Sequence, residues 1–147
     1  MWIRGKASID IAAPPDAIWE WLVDRDKQKA WMKDEIEWLP VDTSQLHAGY
    51  RGTEIMQFPQ GPSEARIELV EYEPPRRMVA KQEHEWFSSR ATFELSAAGA
   101  GTRVVSSVRI RYRSFKTWIQ LLPIVPFYSR VIKTGLKDLK QLVEGGA

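Results

Sequence analysis

The chain has 147 residues, of which 44% are apolar, and a domain of this size buries roughly 70% of the surface that its unfolded chain exposes. We therefore expect a single domain over residues 1–147. No stretch approaches the ~20 consecutive apolar residues of a membrane helix, and residues 1–6 lack the apolar segment of a secretory signal. We expect a cytoplasmic protein. Cysteine is absent, which excludes disulfides and thiolate chemistry.

The chain opens with a strand followed by two helices. Residues 2–11 alternate between apolar or small and polar side chains, the period of a half-buried strand. Pro14 and Pro15 end this strand and suit the first turn of a helix that runs to about Val23. A second short helix is predicted within residues 24–34, where it rests on the sheet through Trp31.

Six further strands are predicted from alternating patterns separated by turn sequences rich in proline, glycine and small residues. They span residues 36–39, 50–58, 65–72, 78–86, 90–96 and 102–112. The gaps between most of them are short, and a parallel pair would need a long crossover, so the neighbours are predicted to be antiparallel. Within 78–86 the alternation places polar Gln82 and His84 on the inner face with Trp86.

The chain closes with an apolar segment and a long amphipathic helix. Residues 118–127 are apolar except for one glutamine and contain Pro123 and Pro126. This segment is predicted either to pack in the core or to form a lid that touches a membrane. From Phe127 onward apolar residues recur at helical spacing until Gly145 and Gly146 end the helix. The predicted fold is α+β, a curved antiparallel sheet of seven strands around this helix.

Three sequence motifs occur in the order typical of one superfamily. They are ASIDIAAPPDAIWEWLVD at 7–24, ELVEYEPPRRMV at 68–79, and GTRVVSSVRIRY at 101–112 followed by LKDLKQLVE at 136–144. The chain resembles the START or pollen-allergen-like superfamily, also called SRPBCC, and within it the polyketide cyclase/dehydrase group. The resemblance implies a helix-grip fold, in which the sheet curls around the terminal helix and leaves an elongated apolar pocket.

The residues offer few groups for catalysis. The two histidines, His47 and His84, are far apart, and no spacing typical of a metal site is present. The chain also lacks a nucleophile elbow, a phosphate-binding glycine loop and a dinucleotide fingerprint. We therefore expect no metal and no cofactor. His84 is the main candidate for proton transfer, and its alternative interpretation is an interior histidine whose hydrogen bonds are satisfied.

The first functional hypothesis is a carrier or sensor that encloses an apolar or amphipathic small molecule, such as a lipid, a fatty acid or a polyketide-like compound. The second is an enzyme of the cyclase or dehydrase kind, with His84 or Tyr112 as the catalytic residue. The third is an interaction module like the chaperone activators of the superfamily. The predicted ligand-binding residues are Gln82, His84, Trp86, Phe93, Leu95, Val108, Ile110, Tyr112, Tyr128, Val131, Gly135 and Leu139.

The charges are unevenly distributed along the chain. Residues 1–75 contain 8 Lys and Arg against 14 Asp and Glu, whereas residues 76–147 contain 13 against 5. Arg109, Arg111 and Arg113 form a row on one face of the last strand. Such a row is either a solvated outer face or a contact for phosphates. Nucleic acid is disfavoured because no aromatic residues are interleaved on that face, and the oligomeric state is left open.

Overall fold

The computed structural model describes residues 2–32, 40, 42–58, 61–116, 119 and 125–145. Its strands are β1 (Trp2–Ile11), β2 (Arg51–Phe58), β3 (Gly61–Glu73), β4 (Arg77–Glu83), β5 (Phe87–Ala98) and β6 (Gly101–Tyr112). Its helices are α1 (Pro15–Val23), α2 (Arg25–Trp31) and α3 (Val125–Gly145). The strands form one antiparallel sheet in the order β1-β6-β5-β4-β3-β2. The α+β class, the curved antiparallel sheet and the C-terminal helix are confirmed.

The sheet of the described residues has six strands, so the prediction of seven strands needs correction. The additional strand was predicted at residues 36–39, which lie outside the described residues. After α2, the next described strand is β2, and it forms the edge of the sheet opposite β1. The remaining six predictions correspond to observed strands, with ends that differ by a few residues.

The two faces of the sheet follow from the alternation of side chains. On β6, Val104 and Ile110 are buried, whereas Arg103 and Arg109 are exposed. The face that carries Val104 and Ile110 is called the inner face below, and the opposite face is called the outer face. The helices cover part of the inner face, and the charged residues of the strands occupy the outer face, except for the buried Glu54.

Helices α1 and α2 close one end of the inner face. α1 buries Ile18 and Leu22 completely. The Trp31 ring of α2 packs edge-on against Phe93 of β5, with ring centroids 6.2 Å apart, which confirms that α2 rests on the sheet through Trp31. Trp31 Nε1 donates a 2.8 Å hydrogen bond to the carbonyl of Trp21, which ties the two helices together. This end of the molecule is a filled core.

Helix α3 lies against β1. A Cβ atom on Gly5 would come within 3.1 Å of Ile132 Cδ1, so the missing side chain lets the helix approach the strand. Near the other end of α3, Glu144 accepts a hydrogen bond from the Ala12 backbone, and Lys140 donates one to the Asp10 carbonyl. Among the described residues, no helix is both long and apolar enough to span a membrane.

The strand predicted at 78–86 is shorter than expected. β4 ends at Glu83, and residues 84–86 form the connection to β5. The connection is stabilised locally, because the His84 N–H donates to the Phe87 carbonyl at 2.9 Å and the Trp86 N–H donates to His84 Nδ1 at 3.1 Å. Trp86 therefore does not continue the strand face of Gln82, and it lies in the turn beside His84.

Candidate ligand-binding site

The middle of the inner face carries small side chains that are only half-buried. Ala80 of β4 lies opposite Ala91 of β5, and Ala91 lies opposite Val108 of β6. All three point to the inner side, and all three keep part of their exposure to solvent. In a filled core such residues are packed at the density of an organic crystal. The row of Ala80, Ala91 and Val108 is therefore covered less completely than the filled core and is called the central floor below.

A row of hydrogen-bonded polar side chains runs beside the central floor. The Gln82 amide donates from Nε2 to Glu54 Oε2 at 2.6 Å, and its Oε1 accepts from the Ser89 hydroxyl at 2.9 Å. These residues come from β4, β2 and β5 respectively, so the row reaches across β3, which lies between β2 and β4. Glu54 is buried, whereas Gln82 and Ser89 are half-buried. The Gln82 amide is thereby held in one orientation at the edge of the floor.

His84 lies at the end of this region and is almost fully buried, with 3% of its surface exposed. Its ring stacks on Phe87 with centroids 4.8 Å apart and meets Trp86 edge-on at 5.1 Å. Nε2 is 2.8 Å from the Ser63 hydroxyl oxygen. On the backbone side, Arg113 Nε donates to the His84 carbonyl at 2.8 Å.

These contacts determine the tautomer of His84. A backbone N–H can only donate, so Nδ1 must accept from Trp86 through its lone pair. The proton of the neutral ring is therefore on Nε2, which donates to Ser63. Burial lowers the pKa of His84, the charge of Glu85 raises it, and the charge of Arg113 lowers it further. The neutral imidazole is the favoured form.

An apolar cluster flanks His84 and is separate from the main core. Phe87, Ile110 and Tyr112 are buried in it, and Ile3, Trp86 and Val108 pack around them. The Phe87 and Tyr112 rings meet at a centroid distance of 6.4 Å. The arrangement provides an aromatic wall next to the polar row, which suits a molecule with one apolar and one polar part.

The structure divides the predicted binding residues between this region and the main core. Six of them lie around the polar row and the aromatic wall, namely Gln82, His84, Trp86, Val108, Ile110 and Tyr112. Leu95 and Leu139 belong to the main core, Phe93 is half-buried beside Trp31, and a Cβ atom on Gly135 would lie 3.7 Å from the Trp31 ring. The side chains of Tyr128 and Val131 are outside the described part of the structure. The predicted ligand-binding role stays a prediction for all twelve.

Sequence reasoning missed four residues of the region, Glu54, Ser63, Phe87 and Ser89. Glu54 lies two residues after Gly52 and therefore points to the same face of β2. Acidic residues are seldom buried unless they are paired, so a glutamate in an inward-facing position indicates a polar site. Ser89 would have followed from extending the inward set of Ala91 by one step. Ser63 would have followed in the same way, by extending the inward set of buried Ala65 by one step. Phe87 was assigned to no strand because the turn between the two strands was predicted at residues 87–89, whereas it lies at residues 84–86.

Two depressions formed by described residues lie away from the inner face. The larger, about 340 Å³, is lined by Arg51, Gly52, Thr53, Arg66, Ile67, Glu68, Lys81 and Glu83. It is a groove between charged side chains, of which Arg51 and Glu68 form a 2.9 Å ion pair, and it lies away from His84. Among the described residues, no three His, Asp or Glu side chains cluster as metal ligands.

Comparison with known proteins agrees with this architecture. A family model described as polyketide cyclase / dehydrase and lipid transport matches residues 3–144. No curated protein sequence matches the chain.

Three solved structures illustrate the similarity of fold. TTHA0849 from Thermus thermophilus has a TM-score of 0.73 at 18% identity, and the match covers 98% of this chain and 99% of that one. Protein MLL2253 from Mesorhizobium loti has a TM-score of 0.71 at 15% identity, over 98% of each chain. DynU16, a protein in the dynemicin biosynthetic locus, has a TM-score of 0.65 at 17% identity, over 99% of this chain and 48% of its own. At such identities the likeness shows the fold alone.

Proposed function

The chain belongs to the family described as polyketide cyclase / dehydrase and lipid transport, and we propose that it binds an amphipathic small molecule against the inner face of its sheet. The apolar part of the ligand lies over the central floor and the aromatic wall. Its polar end meets the row of Glu54, Gln82 and Ser89. A cytoplasmic location remains a prediction from the sequence.

The observation that carries the proposal is the half-buried central floor beside an ordered polar row. Ala80 and Ala91 point inward and yet are only half-buried, while Gln82 is held on both sides by hydrogen bonds. Burying an apolar ligand there removes apolar surface from water, at roughly 25 cal/mol per Å². The polar row would orient the ligand rather than supply most of the affinity.

The chemistry of the row favours a ligand that donates hydrogen bonds. Glu54 brings an acidic group into a buried position, and a ligand carboxylate beside it would suffer repulsion in a site of low dielectric constant. The Gln82 and Ser89 oxygens can also accept hydrogen bonds. Among the classes suggested by the sequence, the proposal therefore favours an alcohol or phenol, as in polyketide-like compounds, over a fatty acid.

The geometry at His84 favours a binding protein over an enzyme that uses this residue as a base. A general base must present a lone pair to its substrate. The Nδ1 lone pair of His84 accepts from the Trp86 backbone, and Nε2 faces Ser63. His84 is therefore better suited to hold the turn and orient the Ser63 hydroxyl. The cyclase or dehydrase alternative retains Tyr112 as its candidate.

Two ligands that share a ring test the proposal. Isothermal titration calorimetry with 1-naphthol and 1-naphthoic acid compares a donor with a carboxylate on the same apolar body. We expect tighter binding of 1-naphthol. Ser89→Ala should weaken that binding about 2- to 10-fold, which corresponds to one hydrogen bond of about 0.5–1.5 kcal/mol.

Ser107→Ala is the matched control, because Ser107 is also half-buried on a central strand but belongs to the outer face. It should bind 1-naphthol like the unmodified protein. Tighter binding of 1-naphthoic acid than of 1-naphthol would refute the preference for ligands that donate hydrogen bonds. Equal effects of the two serine substitutions would refute the position of the site.

A further inference from the structure

The polar row is a chain of hydrogen bonds that ends in an acceptor. The Ser89 hydroxyl donates to Gln82, and the Gln82 amide donates to Glu54. An ionised carboxylate has only acceptor sites, about four in total, so it can accept further hydrogen bonds. Glu54 lies directly opposite Ala65 of β3, which is fully buried. The Glu54 carboxylate is called the acceptor end below.

A second chain of hydrogen bonds runs in the opposite direction and ends in a donor. The Trp86 N–H donates to Nδ1 of His84, so the proton of the neutral ring is on Nε2. Nε2 therefore donates to the Ser63 hydroxyl oxygen, 2.8 Å away. Because this oxygen accepts from the imidazole, the hydroxyl proton of Ser63 points away from His84 and is donated elsewhere. The Ser63 hydroxyl is called the donor end below, and His84 is its positioning residue.

The register of β2 and β3 places the acceptor end and the donor end side by side. Ala65 is the partner of Glu54, and Ser63 is two residues before Ala65 on the same face of β3. Such diagonal neighbours in antiparallel strands have Cα atoms about 7–8 Å apart. Within the part of the chain that the structure describes, Ser63 forms a hydrogen bond with His84 and with no other residue. The two ends are therefore complementary neighbours that are not bonded to each other.

A molecule that carries both a donor and an acceptor would bridge the two ends. Its hydroxyl would donate to Glu54, and its carbonyl oxygen would accept from Ser63. Ser63 is half-buried, so its hydroxyl has lost part of its hydration, and a ligand oxygen would restore the missing hydrogen bond. The Phe87 ring, which stacks on His84, supplies apolar surface beside the donor end.

We infer that Ser63 is a specificity-determining donor of the ligand site, which selects hydroxyketones whose hydroxyl and carbonyl oxygens are about 6–8 Å apart, close to the diagonal spacing. The inference rests on the proposed function, because it assigns a second polar contact to the same site. It narrows the ligand from an alcohol or phenol to a compound that also carries a carbonyl group. A water molecule between the two ends is the competing occupant, and it would give no preference for ketones.

Two phenols that differ only in the group between their rings test the inference. In 4-hydroxybenzophenone this group is a carbonyl, and in 4-benzylphenol it is a methylene. Isothermal titration calorimetry with the full chain should show that the ketone binds about 2- to 10-fold more tightly, the contribution of one hydrogen bond. In Ser63→Ala the ratio of the two affinities should fall by the same factor, while the affinity for 4-benzylphenol is retained. Comparing the ratio between variants cancels the difference in acidity between the two phenols.

Matched variants separate the donor end from general effects on the protein. Ser63→Thr keeps the hydroxyl and should keep the preference for the ketone. Ser88→Ala is the control, because Ser88 is also half-buried but lies on the outer face of β5, and it should leave the ratio unchanged. Infrared spectroscopy adds a readout of the contact itself, since a carbonyl that accepts a hydrogen bond absorbs at lower frequency. The carbonyl band of bound 4-hydroxybenzophenone should be shifted in the unmodified protein and in Ser63→Thr, and should lose this shift in Ser63→Ala.

The outcomes distinguish this inference from the proposed function. Equal ratios in the unmodified protein and in Ser63→Ala would overturn the role of Ser63. Equal affinities for the two compounds, with an unshifted carbonyl band, would leave only a water molecule between the two ends, although the proposed ligand site would stand. Binding of neither compound would contradict the proposed function and the inference with it. If Ser63→Ala does not fold, the carbonyl band in the unmodified protein decides, and an unshifted band overturns the inference.

Discussion

His84 combines a buried imidazole with hydrogen bonds that hold it neutral. Trp86 N–H occupies Nδ1, and the Phe87 ring stacks on one face of the imidazole. Protonation would place a charge in a poorly solvated position and convert Nδ1 from an acceptor into a donor facing another donor. The residue is therefore built into the connection between β4 and β5 in one protonation state.

This state makes the stability of the protein dependent on pH. Burial lowers the pKa of His84 below its ordinary value of 6.5, so in acid the unfolded chain binds a proton that the folded chain does not. The free energy of unfolding should fall as the pH drops below about 6.5, until the folded-state pKa is passed. Urea denaturation between pH 7.5 and pH 5 measures this fall in the free energy of unfolding.

Substitution of each histidine separates this effect from other titrations. His84→Gln should flatten the pH dependence over that interval, although the variant is less stable. His47→Gln is the matched control, because it removes the imidazole of the exposed histidine and leaves His84 in place. The explanation fails if His84→Gln and the unmodified protein lose the same free energy between pH 7.5 and pH 5.

At the residue scale, the sequence predicted part of the candidate site. Gln82 and His84 stood out because they are polar on a face that alternation placed inside. Their partners could not be predicted, since Glu54 and Ser63 are 28 and 21 residues away in sequence and meet them only through the register of β2, β3 and β4. Alternation indicates the face of a residue, whereas cross-strand partners require the register.

The elements were easier to predict than the contacts between them. Helix α1 was predicted to end at Val23 and does so, because the proline pair and the apolar spacing are local signals. β5 begins at Phe87 rather than at residue 90, because its start depends on the hydrogen-bonded turn at residues 84–87. Local patterns thus identified the elements, whereas the hydrogen bonds of the turn determined where β4 ends and β5 begins.

On the outer face, Arg109 of β6 lies opposite Arg90 of β5, and this pair of like charges has a consequence for stability. If Arg90 and Arg109 repel each other, Arg90→Gln with Arg109→Gln should raise the melting temperature at low ionic strength, by about 1–4 °C for one or two relieved cross-strand pairs. Added sodium chloride should raise the melting temperature of the unmodified protein and narrow the difference. Differential scanning calorimetry at 10 and 300 mM salt, concentrations about 30-fold apart, gives the comparison.

A lower melting temperature of the double variant at low salt would contradict this prediction. It would show that Arg90 and Arg109 stabilise the sheet through their own contacts, and the repulsion inferred from the register would then be absent.

At the scale of the whole molecule, the two faces of one sheet have different chemistry. The inner face is packed by α1 and α2 at one end and carries the central floor, the polar row and the aromatic wall elsewhere. The outer face carries the charges of the strands except for Glu54, and its cations on β4, β5 and β6 come from the basic second half of the chain. Because side chains alternate along a strand, the methyl groups of Ala91 and Thr92 lie on opposite faces of the sheet.

Methyl NMR during a titration with 1-naphthol uses this alternation to test whether the ligand binds on the inner face. We expect the methyl signals of Ala80 and Ala91 to shift in a saturable manner while that of Thr92 remains in place. Shifts confined to Thr92 and other outer-face methyl groups, or no shift of Ala80 and Ala91 at saturating 1-naphthol, would contradict it.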